Sequence, residues 1–184
     1  MKSNFMLGVN GMREKPGIGE HPDWFTGYLV LVPEGDIVET LRNECENTKK
    51  AFGKVTEELG DYAYAPGKWS LKEVLGHMAD FERIIGYRTI CISRGDQTNL
   101  AGFDENTYVK ESAFSKSTIS DLLSEFVALR TANLHMLGRL RAQDWLRTGN
   151  VVGNTTSVRA LAWVLAGHEI HHRRVVQERY LEAK

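Results

Sequence analysis

The chain has 184 residues, 42% of them hydrophobic, enough for one packed domain, and no shift in composition marks a second. Its 23 lysines and arginines nearly balance 24 aspartates and glutamates, and the formal net charge of -1 offers no long-range attraction to nucleic acid or to an anionic membrane surface. The two cysteines, Cys45 and Cys91, form no CxxC pair, which argues against a zinc-thiolate knot or a secreted disulfide framework.

Residues 1–33 read as an N-terminal extension packed on the remainder, 34–184. Met1 to Glu20 is polar and glycine-rich without the apolar core of a signal peptide, and no later window reaches the length of a membrane span, so a cytoplasmic protein is expected. Trp24, Phe25, Tyr28, Leu29 and Leu31 offer apolar surface, while Pro22 and Pro33 deny this stretch a long helix. From Asp36 to Leu59 the positions Ile37, Leu41, Cys45, Phe52, Val55 and Leu59 recur at helical spacing and predict a first helix, with Thr48 on the same stripe.

The segment Pro66-Gly67-Lys68-Trp69-Ser70 then restarts the chain. Ser70 and Glu73 have capping-box spacing, and Trp69 and Val74 occupy the hydrophobic-staple positions. The second helix, ending near Gly95, carries Val74, His77, Met78, Phe81, Ile84, Ile85 and Arg88 on its inner face. Asp96 to Lys116 is longer than bundle loops usually are, so it is expected to run along the bundle or over one end. Thr118 and Asp121 open a third helix with Ile119, Leu122, Leu123, Phe126, Leu129, Leu137 and Leu140 on its stripe, interrupted by Asn133. Gly149 to Asn154 reads as a turn with a short extended piece, and a fourth helix follows to about Leu181. Four amphipathic helices each need a partner for their apolar stripe, and an all-α four-helix bundle is the simplest solution.

The sharpest local pattern is Gly167-His168-Glu169-Ile170-His171-His172. On a helix, residues four apart differ by about 40° in direction and about 6 Å in height, so His168 and His172 address one volume. They continue the Leu161, Leu165 and Val175 stripe and so face the core, where His77 of the second helix is a third candidate. Buried histidines satisfied by hydrogen bonds are the plain alternative, yet several unpaired imidazoles on facing surfaces would each cost desolvation. As ligands, three neutral imidazoles suit a borderline divalent ion and leave a coordination position open. His171 lies on the flank as a replacement ligand or an acid or base. His135 and His21 fall outside the pattern. The stretch also matches H-E-x-x-H, with Glu169 as base and Glu178 or Glu182 as third ligand of a zinc protease, and it has the Glu-x-x-His spacing of di-iron bundles. Helix two offers Glu73 and His77 at the wrong spacing for the latter.

Taken in order, Pro66-Gly67-Lys68-Trp69-Ser70 leading to His77-Met78-Ala79-Asp80, and His168-Glu169-Ile170-His171-His172-Arg173 near the end, resemble the DinB-like superfamily of metal-binding four-helix bundles over residues 36–182. That superfamily includes YfiT-like metal-dependent hydrolases and thiol-dependent transferases. The resemblance implies His77, His168 and His172 as ligands of a divalent ion, zinc or nickel, a homodimer, and in some branches a low-molecular-weight thiol such as bacillithiol or mycothiol. Its functional implication is a metal-dependent thiol S-transferase or hydrolase acting on a small molecule, with a non-catalytic metal-binding or small-ligand-binding protein as the rival. Asp80, Glu169 and His171 are the candidate catalytic residues beside the metal, and Glu44, Glu46 and Asn133 are candidates for pocket polarity.

Overall fold

Asp36 caps the first long helix, α1 (Ile37–Phe52), its carboxylate accepting from the Val38 backbone N–H at 2.8 Å. The computed structural model describes residues 11–182, so residues 1–10 of the proposed extension and residues 183–184 at the other end lie outside the described region. Three further long helices follow: α2 (Leu71–Ser93), α3 (Ile119–Gly138) and α4 (Val158–Val176). Each begins at a hydroxyl cap. Ser70 and Glu73 form the reciprocal capping box, Thr118 accepts from Asp121 N–H, and Ser157 accepts from Ala160 N–H. Each such cap is worth about 1 kcal/mol.

The predicted first helix is shorter than its apolar stripe. It stops at Phe52, the chain turns at Gly53, and Thr56 caps a separate turn, Glu57–Gly60, with its side chain accepting from Leu59 N–H. Val55 and Leu59 still pack on the core, which is why the periodicity ran past the break. At its other end α4 passes into a π-helical turn, Gln177–Leu181, closed by Glu182 N–H on the Gln177 carbonyl.

The Asp96 to Lys116 connection lies against α2. It contains β1 (Asn99–Leu100), a two-turn helix Glu105–Glu111 and a 3-10 turn Phe114–Lys116. The stretch read as a turn is a full hairpin, β2 (Thr148–Val151) and β3 (Asn154–Ser157), reversed at Val152 and Gly153 with φ of 51° and 78°. Asn99 and Leu100 pair in parallel with Asn150 and Val151, so a three-stranded sheet in the order β1-β2-β3 closes one end of the bundle. β3 feeds α4 directly.

Apolar side chains form two clusters, one around Leu41, Ile85, Leu137 and Trp163, the other around Phe52, Met78, Phe126 and Val176. Burial of each large side chain contributes roughly 1.5–3 kcal/mol. Where the clusters meet, α3 presents Arg130, which is fully buried. Its Nη1 donates to Glu169 Oε2 at 2.6 Å and to the Leu41 carbonyl at 2.9 Å, while Nε and Nη2 donate to Glu82 Oε1. Burial pushes the pKa of this guanidinium down, and Glu169 and Glu82 more than offset that and push it above its ordinary value.

The lead-in is strapped across α4. Trp163 Nε1 donates to the Arg13 carbonyl at 2.9 Å, Ser157 N–H donates to the Glu20 carbonyl at 2.8 Å, and Arg159 pairs with the Glu20 carboxylate. These ties lay a turn at Asp23–Phe25 and one helical turn, Thr26–Leu29, along α4, burying Phe25 and Leu29. Among the described residues, no helix is long and apolar enough to cross a membrane.

Candidate metal centre

His77 projects from α2 two turns beyond its cap, and His168 and His172 project from α4 one turn apart. Their ring edges converge. The Nε2 atoms of His77 and His168 are 2.9 Å apart, those of His168 and His172 are 3.1 Å apart, and one nitrogen from each ring lies within 4.8 Å of the others. A tetrahedral ion with bonds of about 2.0–2.1 Å needs nitrogens about 3.3 Å apart, so the His77–His168 and His168–His172 pairs fit such an ion after shifts of a few tenths of an ångström, and His77 and His172 would close on it from a separation of at most 4.8 Å. A proton on His168 Nε2 can bridge to just one neighbour, whereas one ion serves all three rings. Burial holds His77 down to about 4, and burial together with the neighbouring histidines holds His168 well below its ordinary value. His172 is likewise pushed down by burial and then by His77. All three are therefore neutral near pH 7, the form in which imidazole is a ligand.

Aromatic neighbours fix the rings. Phe81 stacks on His168 with centroids 3.6 Å apart and planes 6° from parallel, and Trp69 lies 4.8 Å from His77 and stacks on His172. Trp69 is itself held from the tail of α4: Tyr180, turned inward by the π-helical turn, donates its hydroxyl to the Trp69 carbonyl at 2.6 Å. On the other side Tyr28 of the lead-in lies 5.5 Å from the rings of both His168 and His171. A cavity of about 670 Å³ opens against the cluster, walled by Tyr28, Trp69, Phe81 and Phe103.

The remaining sequence candidates are placed differently. His171 reaches the cavity wall, half-buried, with its ring 5.0 Å from that of His172. Glu169 points the other way, accepting from Thr48 Oγ1 at 2.7 Å and from Arg130, so it is committed to the interior and does not face the cavity. This removes it as the base of an H-E-x-x-H site and as a di-iron ligand, and Glu178 and Glu182 are exposed. Asp80 pairs with Arg83 at 3.3 Å. Glu44 pairs with Arg173, Glu46 with Lys49, and Asn133 donates to Glu82, so none of these supplies polarity to the cavity. His135 is exposed, His21 contacts the Pro22 carbonyl, and both cysteines are free thiols.

Residues 40–176 match the family model described as the DinB superfamily. The chain belongs to this superfamily. Among solved structures, this DinB protein is similar to YfiT from Bacillus subtilis, which is described as a probable metal-dependent hydrolase with an unusual four-helix bundle topology. The two share 16% sequence identity with a TM-score of 0.70, over 94% of this chain and 97% of that one, a likeness of fold. No curated protein matches this DinB sequence.

Proposed function

We propose that this protein is a metal-dependent enzyme acting on a small molecule, with His77, His168 and His172 as ligands of one divalent ion, zinc or nickel. The observation that carries this reading is the convergence of three imidazole edges on a cavity of about 670 Å³, within the size range of small-molecule sites. An ion there would keep a position for an exogenous ligand and lower the pKa of a water or thiol held in it.

The protein's own residues supply the rest. Phe81 and Trp69 hold the imidazole planes, Tyr28 and Trp69 shield them from bulk water, and His171 is the side chain assigned to accept and return a proton at a ring nitrogen. Hydrolysis is supported by the likeness in fold to a protein described as a probable metal-dependent hydrolase. Transfer of a low-molecular-weight thiol to an electrophile is the second form of this reading: a thiol ionised at the ion would need no carboxylate base, and Glu169 is committed to Arg130 and Thr48 while Glu105 stands exposed at the cavity. Two free cysteines and a net charge of -1 favour a cytoplasmic protein without a nucleic-acid partner, and a homodimer follows from the family resemblance.

Two parallel panels on metal-loaded protein test this: cellular thiols with chlorinated or epoxide electrophiles, and esters with amides. Turnover in either panel, lost when the three histidines are replaced by alanine, is the expected result. Thiol-independent turnover assigns a hydrolase. Absence of turnover in both assigns a non-catalytic metal-binding or small-ligand-binding protein instead.

A further inference from the structure

Arg88 stands on the same face of α2 as His77, three helical turns away, a rise of about 16 Å. It is 6% exposed and lines the cavity that contains the histidine edges. Among the described residues its one hydrogen bond is from Nη2 to the Ala101 carbonyl, at 2.7 Å. Other buried or half-buried arginines here have carboxylates: Arg130 has Glu82 and Glu169, Arg13 has Asp36, Arg159 has Glu20 and Arg173 has Glu44. Among the described residues Arg88 has none, and burial alone lowers its pKa, with no acidic group opposing the shift. An unpaired guanidinium withdrawn from water is costly, and the cost falls away when an anion enters beside it.

The surroundings narrow the anion. A guanidinium with most of its fork unused matches the planar, bidentate geometry of a carboxylate. One cation balances one negative charge, and Glu105, exposed at the same cavity, opposes a second. Phe81, which lies between His77 and Arg88 in α2, contacts Phe103 and stacks on His168 in the cavity wall, and this aromatic wall takes an apolar or aromatic body.

We propose that Arg88 anchors the carboxylate of an elongated, apolar-bodied monocarboxylic acid, whose opposite end is presented to His77, His168 and His172. This rests on the cavity being the substrate site, and it adds the substrate class to that reading. Arg88 is a binding residue in this assignment and takes no part in bond making.

Calorimetric titration of the full chain with 4-phenylbutyrate and its neutral isostere 4-phenylbutyramide tests the assignment, with metal content measured on the same samples. The acid is expected to bind at least about tenfold more tightly than the amide to wild type, to lose that advantage in Arg88→Gln, and to keep part of it in Arg88→Lys. Equal or undetectable binding of the two compounds to wild type overturns the proposal, as does a preference that survives in Arg88→Gln. If Arg88→Gln does not fold, the wild-type ratio and Arg88→Lys decide. Protein that takes up no metal even after incubation with zinc or nickel, yet still prefers the acid, contradicts the histidine reading and keeps this one; metal-loaded protein with no preference does the reverse.

Discussion

Gly167 and Tyr28 approach so closely that a Cβ on Gly167 would lie 2.3 Å from the Tyr28 carbonyl oxygen. The contact joins α4, at the residue before His168, to the lead-in turn whose aromatic ring covers that histidine. Glycine is required here for space, since backbone cannot yield as a flexible side chain would. Gly167→Ala is expected to destabilise the fold by about 1–3 kcal/mol and to lift the lead-in, raising its susceptibility to proteolysis. Gly138→Ala, where a Cβ meets nothing within 4 Å, is the control and should be neutral or slightly stabilising. Urea denaturation and limited proteolysis of both variants check this pair.

Arg130 joins three helices through ionic and backbone hydrogen bonds and is wholly withdrawn from water. Arg130→Met leaves Glu82 and Glu169 buried without their cation, and a loss of about 3–5 kcal/mol is expected. Thr48→Val removes one hydrogen bond to Glu169 and should cost less, about 1–2 kcal/mol. Equilibrium denaturation of the two variants measures the contrast; equal losses would show that the guanidinium is not what holds the layer together.

The outline of the bundle was legible because capping residues and apolar periodicity act locally: Ser70 with Glu73, Thr118 with Asp121, and the α4 stripe through Leu165 and His168 need no tertiary information. The three histidines could be read as a cluster for the same reason, two being one turn apart on an inner face and the third on an inner face of α2. Arg130 was missed although it lies four residues after Phe126 and eight after Leu122 on their own stripe, a signal that treating arginine as a surface residue hides. Glu82, four residues after Met78, is hidden in the same way. The sheet was underread because β1 has two residues and pairs with a strand about fifty positions away, a long-range choice that carries no local pattern. Tyr28 reaches the site because Arg13 and Glu20 are tied to Trp163, Ser157 and Arg159, long-range contacts that no periodicity encodes.

Glu20 provides a pH test of that fixing. The hydrogen bond from Arg159 holds its carboxyl down to about 2 from an ordinary 4.5, against the opposing effect of burial. A carboxyl whose folded pKa is depressed stabilises the fold above its unfolded value and loses that contribution as the pH falls through the folded one. Wild type should therefore lose stability between about pH 4.5 and about pH 2 relative to Glu20→Gln, which lacks the titrating group. Stability measured by tryptophan fluorescence across this window should show the two curves converging as the pH falls; parallel curves would mean that Glu20 does not tie the lead-in down.

The most direct measurement on the metal centre is elemental analysis of protein purified without added metal, alongside the triple variant His77→Ala, His168→Ala and His172→Ala. The convergent Nε2 atoms predict about one equivalent of a divalent transition ion in wild type and none in the variant. The same negligible content in both, unchanged after incubation with zinc or nickel, would contradict a metal centre at these histidines.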